Sequence, residues 1–98
     1  MDDFYSTLFA CLMGDNIRGE VVGRDEVNDY TIDTCYTLDQ GWETAVWYKE
    51  NRIVIVARYP DKETAIQGHR EWVETCTTNR PTHAFSPQTD KYESFGVE

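Results

Sequence analysis

The sequence predicts an α+β domain: an antiparallel meander of three to four strands, packed on one face by a C-terminal helix over about residues 61–76, with a short N-terminal helix. Residues 30–59 contain three strand-like runs separated by turn residues. Residues 61–76 place apolar side chains at helical spacing. With 98 residues and a 40% hydrophobic share, the chain has enough material for one folded domain with a single core.

The N-terminal region begins with a helical pattern over residues 2–13. Acidic residues at its start and Gly14 after its end are typical helix-terminal signals. The alternative is an arm that becomes ordered only against a partner. Residues 20–23, "EVVG", indicate a short edge strand, and the rest of residues 15–29 is predicted as loop. The apolar positions of the first pattern are Phe4, Tyr5, Leu8, Phe9 and Leu12.

The three strand-like runs alternate between two faces. In "YTIDTCYT", residues 30–37, Ile32, Thr34 and Tyr36 are expected on one face, and Asp33, Cys35 and Thr37 on the other. "WETAVWYK", residues 42–49, follows the turn "LDQG" and shows the same alternation. "IVIVARY", residues 53–59, is the most hydrophobic run, which favours a central strand covered on both faces.

The helix over residues 61–76 has the clearest local signals. Pro60 ends the preceding strand, and Asp61 suits the N-cap position. Gly68 on the margin of its apolar stripe predicts close approach to a large aromatic side chain, with Trp47 and Tyr48 as candidates. His69 within the stripe is expected to be a hydrogen-bonded core residue. The stripe consists of Ala65, Ile66, His69, Trp72, Val73 and Cys76.

Residues 1–77 are therefore interpreted as a single domain, and residues 78–98 as a C-terminal tail or packing arm. The last segment contains two prolines and no hydrophobic period. Its aromatic residues Phe85, Tyr92 and Phe95 would anchor it along the domain or onto another copy in a homodimer.

The chain is strongly acidic, with a net charge of −9. Residues 1–50 hold eleven acidic and three basic side chains. Such a surface repels nucleic-acid phosphates and anionic membranes, so neither is an expected partner, whereas a basic protein surface is.

Asp2 and Asp3 stand where a signal peptide carries positive charge, and no apolar run approaches the ~20 residues of a membrane span. We therefore expect a soluble protein made in a cytoplasm.

Catalytic and metal-binding patterns are not found in the sequence. The cysteines have no paired spacing, and His69 and Cys76 are too far apart in sequence for a close zinc-ligand pair. The acidic residues from Asp25 to Asp33 lack the glycine and glutamate of a calcium loop. No glycine-rich phosphate loop or nucleophile–base pair is recognisable. We expect no enzyme activity, no metal and no cofactor.

An acidic run without an intervening basic residue is the most distinctive feature of residues 25–43. If its carboxylates line one edge of the sheet, they imitate the spaced charges of a phosphate backbone. The ordinary interpretation is a solvated face. The candidate partner-binding residues are Asp25, Glu26, Asp29, Asp33, Asp39 and Glu43, with Tyr30 as an exposed aromatic anchor.

The segments "GWETAVW" and "IVIVARYPDKETAIQGHREWVE", within residues 41–74, resemble a pattern in small uncharacterised proteins of bacteriophages and prophages. The shared positions are Glu43 to Trp47, Arg58, Tyr59, Glu63, Ala65, Gly68, His69, Trp72 and Val73. This resemblance implies a phage origin, and with it a location in the host bacterial cytoplasm, but it says nothing about chemistry.

The function hypothesis follows from the charge and this resemblance. We expect a phage-encoded inhibitor, of the anti-CRISPR or anti-restriction type, that covers a basic nucleic-acid-binding site of a host defence protein with its acidic surface. One alternative is a protein that sequesters a nucleotide signal, for which Arg52, Arg58 and Arg70 would have to converge on phosphates. The other is a virion structural or assembly protein.

Overall fold

The structure, a computed structural model, describes residues 18–97 and shows an α+β fold in this range. The helix predicted over residues 2–13 lies outside the described residues. Four antiparallel strands form a sheet in the order β1-β2-β3-β4. The elements are β1 (Arg18–Val27), β2 (Tyr30–Thr37), β3 (Gly41–Tyr48), β4 (Val54–Tyr59), α1 (Lys62–Thr78), β5 (His83–Ser86) and β6 (Lys91–Ser94).

The first strand is longer than the sequence predicts. β1 has ten residues and continues through Val27, where a loop was expected after residue 23. It joins β2 through a two-residue turn, Asn28 and Asp29, at φ angles of 51° and 73°, the combination that twists a hairpin correctly. A strand at a sheet edge pairs through its backbone groups, so β1 can form despite its polar sequence. For the same reason its sequence shows little of the hydrophobic alternation by which a strand is predicted.

The helix agrees closely with its prediction. Asp61 is the N-cap, and its carboxylate accepts a hydrogen bond from the Thr64 backbone N–H at 2.8 Å. The helix ends at Thr78, two residues beyond the expected end. Within the predicted stripe, Ala65, His69 and Cys76 are buried, and the other members are half-buried. The helix packs across the sheet and contacts all four strands.

The main core lies between the sheet and the helix. The predicted alternation of β2 is confirmed, because Tyr30, Ile32 and Thr34 face the helix. The rings of Tyr30 and Tyr48 meet edge to face, with centroids 5.0 Å apart. The buried members of this core are Tyr30, Ile32, Val46, Tyr48, Val54, Val56, Cys76, Ala84 and Phe95.

The opposite side of the sheet, which we call the second face, carries a smaller apolar cluster of Cys35, Ala45, Trp47 and Ile55. All four side chains are at most 3% exposed. Among residues 18–97, neither the helix nor β5 and β6 contributes a residue to this cluster.

The most hydrophobic strand, β4, is not central as predicted, because it lies at an edge of the four-stranded sheet. Val54 and Val56 belong to the main core, while Ile55 belongs to the cluster on the second face. β4 also contacts β5. The hydrophobic sequence of β4 therefore reflects the burial of both of its faces. It does not indicate where β4 lies in the strand order.

The last part of the chain forms a hairpin that packs on the domain. β5 and β6 pair with each other, and Phe95, just after β6, is 0% exposed within the main core. Asn51 supports this segment by donating to the Phe95 and Gly96 carbonyls at 3.3 Å. Phe95, one of the three aromatic residues expected to anchor this segment, packs into the core of the same chain. Phe85 and Tyr92 remain exposed as an edge-to-face pair on the hairpin, with ring centroids 5.5 Å apart.

Candidate binding cleft at the turn end of the sheet

A cleft of about 740 Å³ lies where the β1–β2 turn and the β3–β4 turn meet. Both turns are at the same end of the meander, and the Lys49 backbone N–H donates to the Asp29 carbonyl at 2.8 Å to join them. The cleft is open to solvent, and most of its lining is polar. Its lining residues are Glu26, Asn28, Asp29, Tyr30, Thr31, Lys49, Glu50 and Asn51.

Side-chain amides fix both turns to the rest of the fold. The Asn28 amide donates to the Cys76 and Thr77 carbonyls at 3.1 and 2.9 Å, satisfying acceptors at the C-terminal end of the helix. Asn51 makes the corresponding link from the second turn to residues 95 and 96. The cleft is therefore framed by two turns that are held in place by the core elements.

The side chains around the cleft give it a negative charge. Glu26, Asp29 and Glu50 are exposed carboxylates, and Lys49 is the single cation among the described residues of the lining. The Lys49 ammonium group lies 5.4 Å from the centroid of the Tyr48 ring. Such a site favours cationic groups of a partner over phosphates.

The predicted acidic residues do not form one continuous surface. Glu26 and Asp29 line the cleft, and Tyr30 borders it. Asp39 is exposed in the β2–β3 turn at the opposite end of β2, on the order of 26 Å away for eight residues of strand. Asp25 and Glu26 are successive residues of one strand and point to opposite faces of the sheet.

Three members of the predicted set are buried, so the expectation that they lie on an exposed surface is wrong. Tyr30 is 0% exposed and donates its hydroxyl to the Pro81 carbonyl at 2.6 Å. Asp33 and Glu43 lie on the second face at 0% and 1% exposure. Each pairs with the arginine directly opposite it on a neighbouring strand. Asp33 pairs with Arg24 at 3.7 Å, and Glu43 pairs with Arg58 at 3.4 Å.

Asp25 belongs to a polar chain between the sheet and the helix. Its carboxylate contacts His69 Nε2 at 2.7 Å, and His69 Nδ1 contacts the Thr34 hydroxyl at 2.7 Å. The chain continues from Thr34 to Thr44 at 2.6 Å and from Thr44 to the Tyr59 hydroxyl at 2.9 Å. His69 is therefore a hydrogen-bonded core residue, as predicted. Substituting Asp25 would disturb helix packing, so it is unsuitable as a test of surface binding.

The aromatic side chain that Gly68 approaches is Tyr59, and the prediction of Trp47 or Tyr48 is wrong. A β-carbon at Gly68 would overlap the Tyr59 ring. Trp47 lies on the second face, and Tyr48 packs against Tyr30 farther along the core. The sequence did not predict this contact. Tyr59 is the last residue of β4, shortly before the helix begins, and its ring packs against the helix at Gly68.

Glu43 gives a pH-dependent prediction. Burial raises the pKa of its carboxyl above the ordinary value of 4.5, against the opposing effect of Arg58. The folded state thus binds a proton more tightly than the unfolded state, so the stability of the native protein falls as pH rises above about 4.5 towards the folded pKa. We expect Glu43→Gln to match the native protein near pH 4 and to melt at a higher temperature at pH 7.

The measurement is thermal unfolding followed by circular dichroism at several pH values between 4 and 8. Glu74→Gln, which removes an exposed carboxylate on the helix that does not act on Glu43, is the control and should show no such divergence. A Glu43→Gln variant that is less stable than the native protein at pH 7 would show that the ion pair with Arg58 outweighs the cost of burial.

Thiol nucleophiles and metal sites find no support in the described part of the chain. Cys35 and Cys76 are both 0% exposed, and burial raises the pKa of Cys76 to about 12, so its thiol is protonated at neutral pH. Within residues 18–97, no three His, Cys, Asp or Glu side chains are grouped in a way that would hold a metal ion. No helix in the same range is long and apolar enough to cross a bilayer.

Sequence reasoning missed Glu50, Asn28 and Asn51 as members of the cleft. The signal that would have found them is topological. In an antiparallel meander, alternate turns lie at the same end of the sheet, so the turn at residues 28–29 and the turn at residues 49–51 must be neighbours. Comparing the charges of those two turns brings Glu50 next to Asp29.

No family model matches the chain, and no curated protein and no solved structure is significantly similar to it. The resemblance of residues 41–74 to phage and prophage proteins therefore stays a prediction.

Proposed function

We propose that this protein is a non-enzymatic, phage-encoded inhibitor that covers a basic nucleic-acid-binding surface of a host defence protein with the carboxylates around its cleft. The observation that carries the proposal is the grouping of Glu26, Asp29 and Glu50 at one end of the sheet beside Lys49. The phage origin and the defence target rest on the sequence resemblance of residues 41–74.

The geometry supports contact with a protein surface in two ways. The carboxylates come from two turns that are tied to the helix and to the C-terminal segment through Asn28 and Asn51, so they are held in place before binding. Their exposure leaves them available to the lysine and arginine side chains of a partner. Association through such a surface is fast and sensitive to salt.

The test uses two variants with equal changes in charge. The cleft variant is Glu26→Gln, Asp29→Asn and Glu50→Gln. The control variant is Asp39→Asn, Glu63→Gln and Glu74→Gln, which removes three exposed carboxylates elsewhere. The tagged proteins are used to capture partners from bacterial lysate, and affinities for a captured nucleic-acid-binding protein are then measured with and without competing DNA or RNA.

We expect the cleft variant to bind about 10- to 100-fold more weakly, since three exposed ion pairs at roughly 0.5–1 kcal/mol each are lost. The control should bind nearly as well as the native protein, and nucleic acid should compete with the native protein for the partner. Equal affinities of the two variants, or simultaneous binding of nucleic acid and this protein, would refute the proposal.

A second candidate is assembly through the hairpin, favoured by the exposed ring pair of Phe85 and Tyr92. In the same experiment, loss of binding by Tyr92→Ala combined with normal binding by the cleft variant would favour it. A nucleotide site built on arginines has less geometric support. Arg58 pairs with Glu43 on the second face and Arg52 pairs with Glu93 at the hairpin, so these two do not converge.

A further inference from the structure

A continuous series of hydrogen bonds, which we call the polar chain, crosses the interface between the sheet and the helix. His69 Nε2 lies 2.7 Å from a carboxylate oxygen of Asp25, and His69 Nδ1 lies 2.7 Å from the Thr34 hydroxyl. The hydroxyl oxygens of Thr34 and Thr44 are 2.6 Å apart, and that of Thr44 is 2.9 Å from the Tyr59 hydroxyl. The polar chain therefore joins α1 to all four strands from β1 to β4.

The polar chain is buried in its middle and more open at its two ends. Thr34 and Thr44 are 0% exposed, and His69 is 6% exposed. The side chain of Asp25, at one end, is 53% exposed, and Tyr59, at the other end, is half-buried. Within residues 18–97 the two threonine hydroxyls have no hydrogen-bond partners outside the polar chain. The single hydrogen of each must therefore be donated along it.

Asp25 determines the direction of donation when His69 is neutral. A carboxylate can only accept, so Nε2 carries the ring hydrogen and donates it to Asp25, and Nδ1 is left as an acceptor. Thr34 then donates its hydrogen to Nδ1. Because that hydrogen is used, Thr44 donates to Thr34, and Tyr59 donates to Thr44. Every hydroxyl hydrogen in this state points towards His69.

Protonation of His69 reverses this direction. The imidazolium ring donates from both nitrogens, so Nδ1 becomes a donor to Thr34. Thr34 then donates to Thr44, and Thr44 donates to Tyr59, because any other arrangement leaves a buried hydroxyl hydrogen unpaired. Burial raises the pKa of Tyr59 above 10.0, against the effect of its hydrogen bond with Thr44 and with a contribution from Glu71. The Tyr59 hydroxyl therefore keeps its hydrogen, which becomes available to another acceptor.

Few other charged groups lie around the polar chain. On the helix side of β1, Glu20 pairs with Lys62 of α1. Glu71 of α1 acts on the tyrosine hydroxyl. Among residues 18–97, Asp25 is the one charged group hydrogen-bonded to His69. The charged strand residues next to the polar chain in sequence point to the second face; they are Arg24, Glu26, Asp33, Glu43 and Arg58.

We propose that His69 is a pH-sensitive switch, whose protonation reverses hydrogen-bond donation along the polar chain and releases the hydroxyl hydrogen of Tyr59 where β4 meets α1. An imidazole changes its charge between pH 5 and 8, so the two states exchange near neutral pH. Asp25 keeps the ring in place in both states, because Nε2 donates to it in each. The switch lies on the helix side of the sheet, and it does not depend on the proposed function.

The first test observes both states by NMR in the native full-length protein labelled with nitrogen-15. At pH 8 we expect the hydrogen of His69 on Nε2, and a coupling between Nδ1 and the hydroxyl hydrogen of Thr34. At pH 5 both ring nitrogens should carry hydrogens, and this coupling should be lost. His83, an exposed histidine, is assigned with His83→Gln and serves for comparison. A hydrogen on Nδ1 at pH 8, or a ring that does not change between pH 5 and 8, would overturn the proposal.

The second test asks whether the far end of the polar chain senses His69. In Tyr59→Phe the protonated state leaves the hydrogen of Thr44 without an acceptor, so His69 should titrate at a pH lower by about 0.3–1 unit than in the native protein. Tyr48→Phe is the matched control. Its hydroxyl lies in the same core but bonds Arg80 at 3.0 Å, outside the polar chain, and its removal should leave the titration of His69 unchanged.

An unchanged titration of His69 in Tyr59→Phe, or an equal shift in both variants, would contradict transmission along the polar chain. Both substitutions remove only one oxygen atom and keep the ring. Should Tyr59→Phe nevertheless unfold, the position of the ring hydrogen and the coupling to Thr34 in the native protein decide the question.

Discussion

Replacing Phe95 by alanine is expected to lower the free energy of unfolding by about 3–5 kcal/mol. The Phe95 ring is 0% exposed, its centroid lies 6.1 Å from that of Tyr30, and the two planes are nearly perpendicular. Its removal leaves a cavity between residues from the sheet, the helix and the hairpin. The surrounding strands are hydrogen-bonded to one another, so collapse of this cavity is limited.

The measurement is urea unfolding followed by circular dichroism. Tyr92→Ala is the matched control, because Tyr92 belongs to the same hairpin but is 73% exposed, and its replacement should change stability by less than about 0.5 kcal/mol. A loss below about 1 kcal/mol for Phe95→Ala would mean that the hairpin contributes little to the core. A loss of the expected size would mean that the C-terminal segment, residues 78–98, belongs to the folding unit.

Replacing Gly68 by alanine is expected to destabilise the protein by about 1–3 kcal/mol, although alanine favours a helix by up to about 1 kcal/mol. The added β-carbon would overlap the ring of Tyr59. This ring cannot swing aside freely, because its hydroxyl is hydrogen-bonded to Thr44 at 2.9 Å. Relief of the overlap therefore requires loss of that hydrogen bond or displacement of the helix from the sheet.

The origin of this effect can be isolated in a Tyr59→Ala background. Without the ring, Gly68→Ala meets no obstacle, and it should stabilise the helix by about 0.5–1 kcal/mol. Four proteins, namely the native protein, the two single variants and the double variant, are compared by urea unfolding. If Gly68→Ala destabilises equally in both backgrounds, then close approach to Tyr59 is not the reason for glycine at this position.

The candidate site was only partly accessible from the sequence. Glu26 and Asp29 were identified because they belong to an acidic run, and they do line the cleft. The same run also led to Asp33 and Glu43, which face the second side of the sheet and are neutralised by arginines. A run of charges along a chain does not distinguish the two sides of a strand unless the coverage of each side is known.

By itself, the sequence determined the features that depend on neighbouring residues. These are the helix with its cap at Asp61, the alternating faces of β2, and the antiparallel pairing of strands that follow one another in the chain. They follow from backbone periodicity and from hydrogen bonds made within a few residues.

Only the tertiary structure decided which surfaces are covered and which segments meet. It extends β1 through a polar stretch and places β4 at an edge of the sheet. It also packs the C-terminal hairpin into the core and places Glu50 and Asp29 in the same cleft. It also buried Tyr30 against Pro81, fifty-one residues away. Burial arises from contacts between segments distant in the chain, and a local pattern carries no information about the partner that covers it.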